Sequence, residues 1–259
     1  MRIVRYQTGE EAPRFGWLLE DKVGPVDGDL FGRYRRREAK FPLSEVRLSI
    51  PVVPGKILCV GRNYVEHARE LGNEVPQVPL IFMKPISSII SNGETILLPP
   101  QSKQVEHEGE LVAVIGKRAR NLTAEQARKH ILGYTIGNDV TARDLQKSDG
   151  QWTRAKGFDT FCPFGPWVDT DFDPSDAVVT CRVNGQMRQM ASTRDMIFSV
   201  GTLVAFISSV MTLMPGDLIF PGTPSGVGEL KHGDRVDVEI DGLGGLSNPV
   251  RAEIQDAGL

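Results

Sequence analysis

The chain has 259 residues, enough to bury one large hydrophobic core with or without a small second module. Its 30 basic residues nearly balance its 33 acidic residues, which is not typical of an electrostatic nucleic-acid binder. No apolar run approaches the roughly 18 residues of a membrane span, and the N-terminus lacks the apolar region of a secretory signal. We therefore expect a cytoplasmic protein with no nucleic-acid or membrane partner.

The first fifty residues are predicted to form a small β module. Its predicted strands are 2–6, 15–19 and 22–26. The basic segment 33–40 is predicted to be a solvated helix or loop. Pro51 and Pro54 mark a boundary, so we predict an N-terminal module at 1–53 and a larger domain at 54–259.

Beyond this boundary, short strands alternate with glycines and prolines. The predicted strands are 57–60, 111–115, 133–138, 218–220 and 235–240. The predicted helices are 63–71, 123–130 and 199–210. The proline-rich stretch up to Pro85 is predicted to be a loop. Many strands, few helices and no regular β–α–β alternation predict a β-dominated α+β fold, and they argue against a Rossmann fold or a TIM barrel.

Cysteine is scarce in this chain. The three cysteines are Cys59, Cys162 and Cys181. Their odd number and the absence of a Cys-x-x-Cys pair fit a reducing cytoplasm. We expect each to be a small buried apolar residue.

Three carboxylates at the ends of two predicted strands indicate a metal site. Glu108 and Glu110 lie two residues apart on a strand and so face the same side, and Asp139 ends the other strand. Two anions about 7 Å apart repel each other by about 2 kcal/mol unless a cation lies between them. Carboxylate oxygens favour Mg²⁺, Mn²⁺ or Ca²⁺ over zinc. The pattern predicts an octahedral divalent-metal site with positions open to a substrate.

The alternative is a solvated strand face, in which Glu106 would extend the same acidic stripe. Two features favour the metal site instead. The following residues 111–115 are apolar on both faces, which indicates a strand that enters the interior. Gly109, between the two glutamates, allows a backbone or a ligand to approach closely.

Other residues have side chains suited to act on a substrate. His67 and Glu70 lie three apart on a predicted helix, where the carboxylate would raise the basicity of the imidazole and let the pair deprotonate water. Lys156, between aromatic residues, could hold an anionic oxygen. Arg143 is a plausible partner for a carboxylate, and the loop with Thr223 could bind one. The alternatives are an ordinary surface contact for the His67–Glu70 pair and for Arg143, a lysine whose charged end reaches solvent for Lys156, and a turn without a ligand for the Thr223 loop.

Eight segments, taken in order, closely resemble the fumarylacetoacetate hydrolase family. They are GRNYVEHA (61–68), FMKP (82–85), EGELVAVIG (108–116), GYTIGNDVTARD (133–144), KGFDTF (156–161), GPW (165–167), VNG (183–185) and PGDLIFPGTP (215–224). The resemblance covers about residues 54 to 250. The first fifty residues resemble, less distinctly, the small leading module of many bacterial members.

The resemblance implies a β-roll-like catalytic domain, a homodimer and a bound Mg²⁺, with Mn²⁺ or Ca²⁺ as alternatives. It also implies a role for nine residues: Glu108, Glu110 and Asp139 as metal ligands, His67 and Glu70 as the water-activating pair, Lys156 as a ligand of substrate oxygen, and Arg143, Gln146 and Thr223 as substrate-binding residues. Many members carry an aromatic residue at the position of His107, which we expect to face away from the metal.

The implied activity is metal-dependent hydrolysis of a C–C bond in an acylpyruvate or related β-diketo acid. The His67–Glu70 pair, under a lid of about residues 64–80, would activate the water that attacks the carbonyl remote from the acid. The same site could serve an isomerase of 2-hydroxyhepta-2,4-diene-1,7-dioate or an oxaloacetate decarboxylase. A metal-stabilised domain that binds a partner without catalysis is the third possibility.

Overall fold

The computed structural model describes residues 1–254 of the chain, and short strands make up most of its regular structure. The strands are β1 (Arg2–Gln7), β2 (Arg14–Leu19), β3 (Lys22–Gly28), β4 (Tyr34–Arg36), β5 (Phe41–Pro42), β6 (Arg47–Ser49), β7 (Ile57–Gly61), β8 (Leu80–Lys84), β9 (Ile89–Ile90), β10 (Ile96–Leu98), β11 (Val105–His107), β12 (Gly109–Ile115), β13 (Ile131–Asn138), β14 (Thr141–Ala142), β15 (Cys162–Asp169), β16 (Val178–Val183), β17 (Gln186–Ser192), β18 (Leu218–Phe220), β19 (Gly228–Glu229), β20 (Arg235–Ile240) and β21 (Gly244–Ala252). The α-helices are α1 (Val65–Glu70), α2 (Ala124–Ala127), α3 (Arg143–Asp149), α4 (Thr153–Lys156) and α5 (Val200–Val210). The predicted β-dominated α+β fold is confirmed.

A sheet of 13 strands forms the frame of the molecule, in the order β4-β3-β2-β1-β15-β13-β12-β18-β7-β8, with β5, β6 and β9 attached beside this path. A five-stranded sheet has the order β10-β21-β20-β16-β17, and a three-stranded sheet has the order β14-β11-β19. Within residues 1–254, no helix is long and apolar enough to span a membrane.

The five-stranded sheet packs against β12 of the large sheet. Every residue of β12 is buried, as its apolar sequence predicts. A Cβ at Gly109 would lie 3.0 Å from Val238 Cγ1 and 3.3 Å from Cys181 Cβ. The close approach predicted at this glycine is therefore made by side chains of the five-stranded sheet.

The N-terminal strands continue the large sheet, because β1 pairs with β15 through Arg2↔Asp169 and Ile3↔Val168. The division at residue 53 stays a prediction. Two local predictions are wrong. The basic segment contains the exposed strand β4, which pairs with β3, and the end of the proline-rich stretch forms β8, which pairs with β7. In both places, pairing with a neighbouring strand overrides the local loop signal.

The predicted helices are present with slightly different limits. α1 ends before Gly72, whose φ of +68° places it in the left-handed region. Thr123 caps α2 through a capping box with Gln126, and Ser199 caps α5. These ends match the local sequence signals because capping depends on residues adjacent in the chain.

Strand direction brings four chain segments to one edge of the large sheet. β7 runs parallel to β18, which runs antiparallel to β12, and β12 runs antiparallel to β13. The carboxyl ends of β7, β13 and β18 therefore meet the amino end of β12. The segments at these ends carry the candidate residues.

Close packing behind this edge gives a test of the fold. A Cβ at Gly137 on β13 would lie 2.4 Å from Phe220 Cε1 and 2.6 Å from Val112 Cγ2. We expect Gly137→Ala to lower the free energy of unfolding by about 1–3 kcal/mol through overpacking, measured by denaturant unfolding. Gly245→Ala is the control, because its Cβ would meet only Val238 O, at 3.8 Å. Equal losses in the two variants would contradict this account.

Candidate active site

Three buried carboxylates converge at the sheet edge. Glu108, Glu110 and Asp139 each offer one oxygen, and these oxygens lie within 4.8 Å of one another. The backbone fixes two of them side by side, because Asp139 N donates to Glu108 O at 2.8 Å. Glu108 N in turn donates to Asn138 Oδ1 at 2.9 Å. The structure thus brings together the three residues predicted as metal ligands.

The solvated-face alternative does not hold for this segment. Glu106 is 6% exposed, and its carboxylate accepts from Arg143 Nε at 2.7 Å and from Gln104 Nε2 at 2.6 Å. The sequence gives no sign of this burial, because the arginine that covers Glu106 comes from a distant helix.

Three buried cations partly neutralise the carboxylates. Lys156 Nζ donates to Glu108 at 2.8 Å and to Asp139 at 2.6 Å. Lys84 Nζ donates to the other oxygen of Asp139 at 2.5 Å, and Arg143 donates to Glu108. Each of the three cations is at most 2% exposed. Lys84 lies in the FMKP segment, but sequence reasoning assigned it no role.

The cations divide the carboxylates into two kinds. Burial alone would raise the pKa of Glu108, but Lys156 and Arg143 outweigh burial and hold this pKa well below its usual range. Burial and the neighbouring carboxylates raise the pKa of Glu110 well above its usual value. Glu110 accepts a hydrogen bond from Gly222 N at 2.7 Å, and within residues 1–254 it has no ion-pair partner. Glu110 is therefore the carboxylate whose charge is least compensated.

This donor set fits a hard divalent cation. Oxygens bound to Ca²⁺ at about 2.4 Å lie up to about 4.8 Å apart, and those bound to Mg²⁺ at about 2.1 Å lie up to about 4.2 Å apart. The oxygens of the three carboxylates lie within 4.8 Å of one another, which is close enough for all three to bind one ion of this kind. Glu110 is the ligand whose charge such an ion would neutralise.

The predicted water-activating pair meets on α1. His67 Nδ1 lies 3.3 Å from Glu70 Oε2. Glu70 also accepts from Gly226 N at 3.0 and 3.2 Å, which fastens α1 to the loop after β18. Burial lowers the pKa of His67, so its imidazole is neutral at neutral pH. With Nδ1 directed at Glu70, Nε2 is the nitrogen that remains to accept a proton.

The hydroxyl of Thr223 is held by Gln189, a residue that sequence reasoning missed. Gln189 Nε2 donates to Thr223 Oγ1 at 2.7 Å and to Pro224 O at 2.8 Å, and its Oε1 accepts from Gly109 N at 3.0 Å. Thr223 Oγ1 donates to Gly109 O at 2.9 Å. With its proton engaged, this hydroxyl offers a ligand a lone pair. Gln189 lies in the largely polar run of β17, and no local signal distinguishes it.

His107 points toward the five-stranded sheet, as expected for a side chain that faces away from the carboxylates. Its Nδ1 lies 3.1 Å from Gln189 Oε1 and 3.3 Å from Cys181 Sγ. It is completely buried, and burial lowers its pKa. His107 therefore belongs to the packing behind the site.

Seven of the nine predicted residues line a narrow cavity of about 40 Å³, which we call the inner pocket. They are His67, Glu108, Asp139, Arg143, Gln146, Lys156 and Thr223. The other two, Glu70 and Glu110, adjoin it through His67 and the carboxylate cluster. The inner pocket continues into a cavity of about 530 Å³, the outer chamber, since both are lined by Arg62, Phe82 and Trp152.

A separate cavity of about 590 Å³ is lined by Arg128, Tyr134 and Phe172, among others, and by none of the nine predicted residues. Its size alone does not mark it as the active site. Buried charges with perturbed pKa values converge in the inner pocket, and this convergence is typical of catalytic sites.

A family model described as "Fumarylacetoacetate (FAA) hydrolase C-terminal" matches residues 56–251. The chain belongs to the fumarylacetoacetate hydrolase family. A second model, "Rv2993c-like, N-terminal", matches residues 1–51 of this family member.

Relatives within the fumarylacetoacetate hydrolase family carry different activities in their names. The "Oxaloacetate tautomerase fahd2, mitochondrial" of Xenopus laevis is 39% identical over 287 residues, covering 96% of this chain and 90% of that protein. The structure of 2-hydroxyhepta-2,4-diene-1,7-dioate isomerase from Mycobacterium marinum is 44% identical, with a TM-score of 0.91 and coverage of 98% of this chain and 99% of that one. Maleylpyruvate hydrolase from Sphingobium is 30% identical, with a TM-score of 0.81 and coverage of 98% and 100%. Proteins of this fold are therefore named as a tautomerase, an isomerase and a hydrolase.

Binding of a divalent metal should release a proton. Because the pKa of Glu110 is raised, the metal-free protein keeps this carboxyl protonated at pH values where an exposed glutamate is ionised. A bound cation favours the anion, so affinity should rise with pH until the raised pKa is passed. Calorimetric titration with Mg²⁺ at pH values below this raised pKa, in buffers of different ionisation enthalpy, should detect release of up to about one proton per ion.

Asp139→Asn should weaken Mg²⁺ binding by roughly tenfold or more, because it removes one anionic ligand. Glu229→Gln is the control, since Glu229 is partly exposed and its carboxylate pairs with Lys231 outside the cluster. Binding heats that do not depend on the buffer, or unchanged affinity in Asp139→Asn, would contradict the assignment.

Proposed function

We propose that the protein is a divalent-metal-dependent hydrolase that cleaves a C–C bond in an acylpyruvate or related β-diketo acid, such as fumarylpyruvate or acetylpyruvate. The main support is the neutral His67, which lines the same inner pocket as the carboxylate cluster and is oriented by Glu70. This arrangement suits removal of a proton from water, which hydrolysis consumes and isomerisation does not.

Glu108, Glu110 and Asp139 would hold the divalent cation, which supplies Lewis acidity toward a substrate carbonyl and its enolate. The chain's own residues account for the other steps. His67 takes a proton from water at Nε2, and Glu70 stabilises the imidazolium that results. The water oxygen then adds to the carbonyl remote from the acid. The C–C bond breaks with its electron pair on the pyruvate fragment, which regains a proton from the imidazolium.

Side chains around the inner pocket would hold the substrate in place. Lys156 and Arg143 place positive charge where the substrate's carboxylate and enolate oxygens would lie. Gln146 Oε1 accepts from Arg143 Nη1 at 2.5 Å, so its amide nitrogen is directed elsewhere and can donate to a substrate oxygen. Thr223 would offer the lone pair that its hydrogen bonds leave free.

The second candidate is an isomerase or decarboxylase on the same site, acting on 2-hydroxyhepta-2,4-diene-1,7-dioate or oxaloacetate. The Mycobacterium marinum isomerase and the Xenopus laevis tautomerase, 44% and 39% identical, support it. A non-catalytic binding domain is the third candidate. It has no evident use for a neutral histidine beside buried cations.

The compartment and the oligomeric state belong to the same proposal. All three cysteines are buried and free, which supports the reducing cytoplasm. The homodimer rests on family resemblance, and light scattering in solution would measure it.

Product analysis in H₂¹⁸O tests the reaction type. Acetylpyruvate, fumarylpyruvate and oxaloacetate would be incubated separately with protein and Mg²⁺, Mn²⁺ or Ca²⁺. Hydrolysis of acetylpyruvate or fumarylpyruvate gives pyruvate and a second acid that carries ¹⁸O from water. Carbon dioxide from oxaloacetate, or keto–enol interconversion without cleavage, would favour the second candidate. If none of these acids reacts, the non-catalytic binding domain is the candidate that remains.

His67→Asn should lower kcat by about 10²- to 10⁴-fold, because it removes the base, while Mg²⁺ affinity stays close to wild type. His130→Asn is the control, since His130 lies outside the inner pocket and contacts a backbone carbonyl. With Mg²⁺ saturating at every pH, the acidic limb of the wild-type kcat profile should lie below pH 6.5, since the neutral imidazole is required and burial lowers its pKa. Equal losses of metal affinity and turnover in His67→Asn would contradict the role as base.

A further inference from the structure

Arg62 lines both the inner pocket and the outer chamber. The other two cations that line the inner pocket are paired, since Lys156 and Arg143 both bind buried carboxylates. Among the described residues, no carboxylate lies within ion-pair distance of Arg62, and its guanidinium makes no hydrogen bond to protein. Its charge is therefore available to a ligand.

The outer chamber around Arg62 favours an anion. Its wall contains Arg62, Arg143 and Lys147, and no aspartate or glutamate from residues 1–254 lines it. The rest of the wall is made of amide and apolar side chains, including those of Leu80 and Trp152. A cavity with positive charge and low-dielectric walls raises the local concentration of anions. At about 530 Å³, it has room for the far end of a substrate anchored in the inner pocket.

The backbone fixes Arg62 at this position. Its φ of +60° is unusual for a residue with a side chain. On one side, Asn63 is completely buried, and its amide donates to Phe198 O at 3.0 Å and to Pro221 O at 2.7 Å. On the other side, a Cβ at Gly61 would lie 2.6 Å from the Trp152 ring. Surroundings this constrained keep the left-handed conformation in place.

The guanidinium is also oriented by an aromatic ring, because Arg62 Cζ lies 5.9 Å from the ring centroid of Trp152. Trp152 packs edge-on against Phe82, with centroids 5.1 Å apart. Both rings line the passage shared by the two cavities. The N–H groups of the guanidinium remain free to donate, and their planar arrangement matches the geometry of a carboxylate.

We propose that Arg62 is a specificity-determining residue that selects substrates with a second carboxylate at the end remote from the 2-oxo acid group. The inference rests on the proposed function and narrows its substrate class from acylpyruvates in general to dicarboxylates. The 2-oxo acid end occupies the inner pocket, and the second carboxylate binds Arg62 in the outer chamber.

A matched substrate pair tests this. 2,4-Dioxoheptanedioate and 2,4-dioxoheptanoate differ at C7 alone, which is a carboxylate in the first and a methyl group in the second. Wild-type protein with Mg²⁺ should turn over the dicarboxylate with a kcat/KM about 10- to 100-fold higher, the range expected for one charged hydrogen-bonded pair. Arg62→Asn should remove this preference through KM and leave the monocarboxylate within about twofold. Asparagine is chosen because it tolerates a positive φ better than arginine does.

Two further variants separate the charge from other effects. Arg62→Lys keeps a charge and should retain part of the preference. Arg69→Asn removes a nearby arginine that is paired with Glu66 and does not line either cavity, so it should match wild type. Equal losses for both substrates in Arg62→Asn, or an unchanged preference, would overturn the proposal.

Failure of this inference is distinguishable from failure of the proposed function. If wild-type protein turns over the monocarboxylate and Arg62→Asn keeps the wild-type preference, the inference fails and the proposed function stands. If wild-type protein turns over neither acid, the proposed function fails. In that case, calorimetry would measure the affinities of wild-type protein and of Arg62→Asn for the same two acids. Equal affinities of wild-type protein for the dicarboxylate and the monocarboxylate would refute the role of Arg62.

Discussion

The mutual compensation of buried charges at one sheet edge is the constraint on which the site depends. Removing a charge from water costs several kcal/mol unless a partner and further hydrogen bonds replace the solvent. Glu108 and Asp139 meet this requirement with Lys84, Lys156 and Arg143, all almost inaccessible to solvent. The antiparallel pairing of β12 with β13 forces the two acids together, so the cations have to come from other parts of the chain. The fold and the charge arrangement therefore require each other.

This arrangement leaves distinct chemical tasks to different side chains. Glu108 stays anionic beside Lys156 and Arg143, whereas Glu110 has no ion-pair partner among residues 1–254 and His67 stays neutral in its buried position. A single site thus combines a glutamate whose pKa is lowered by cations, a glutamate whose pKa is raised by burial and neighbouring carboxylates, and a neutral histidine. Relatives of the same fold are named for different activities, namely a tautomerase, an isomerase and a hydrolase.

Sequence reasoning recovered the parts of the site that local patterns encode. The parity of Glu108 and Glu110, the apolar run after them and the His67–Glu70 spacing are all visible within a few residues. Lys84 and Gln189 could not be found in this way, because their partners Asp139 and Thr223 lie 55 and 34 positions away. Strands β4 and β8 were missed for the same reason, since neighbouring strands and not local propensity decide their conformation.

The amide of Gln189 joins two layers of the molecule. It sits on the five-stranded sheet, yet it bonds to the peptide nitrogen of Gly109 between two acidic residues of the large sheet and to the Thr223 hydroxyl. Any sliding of one layer over the other would stretch these bonds and alter the spacing of the oxygens around Gly109. The five-stranded sheet thus helps to hold the two glutamates in position. Buried substitutions in β16, β17 or β20 would therefore alter the geometry of the inner pocket without removing any residue that lines it.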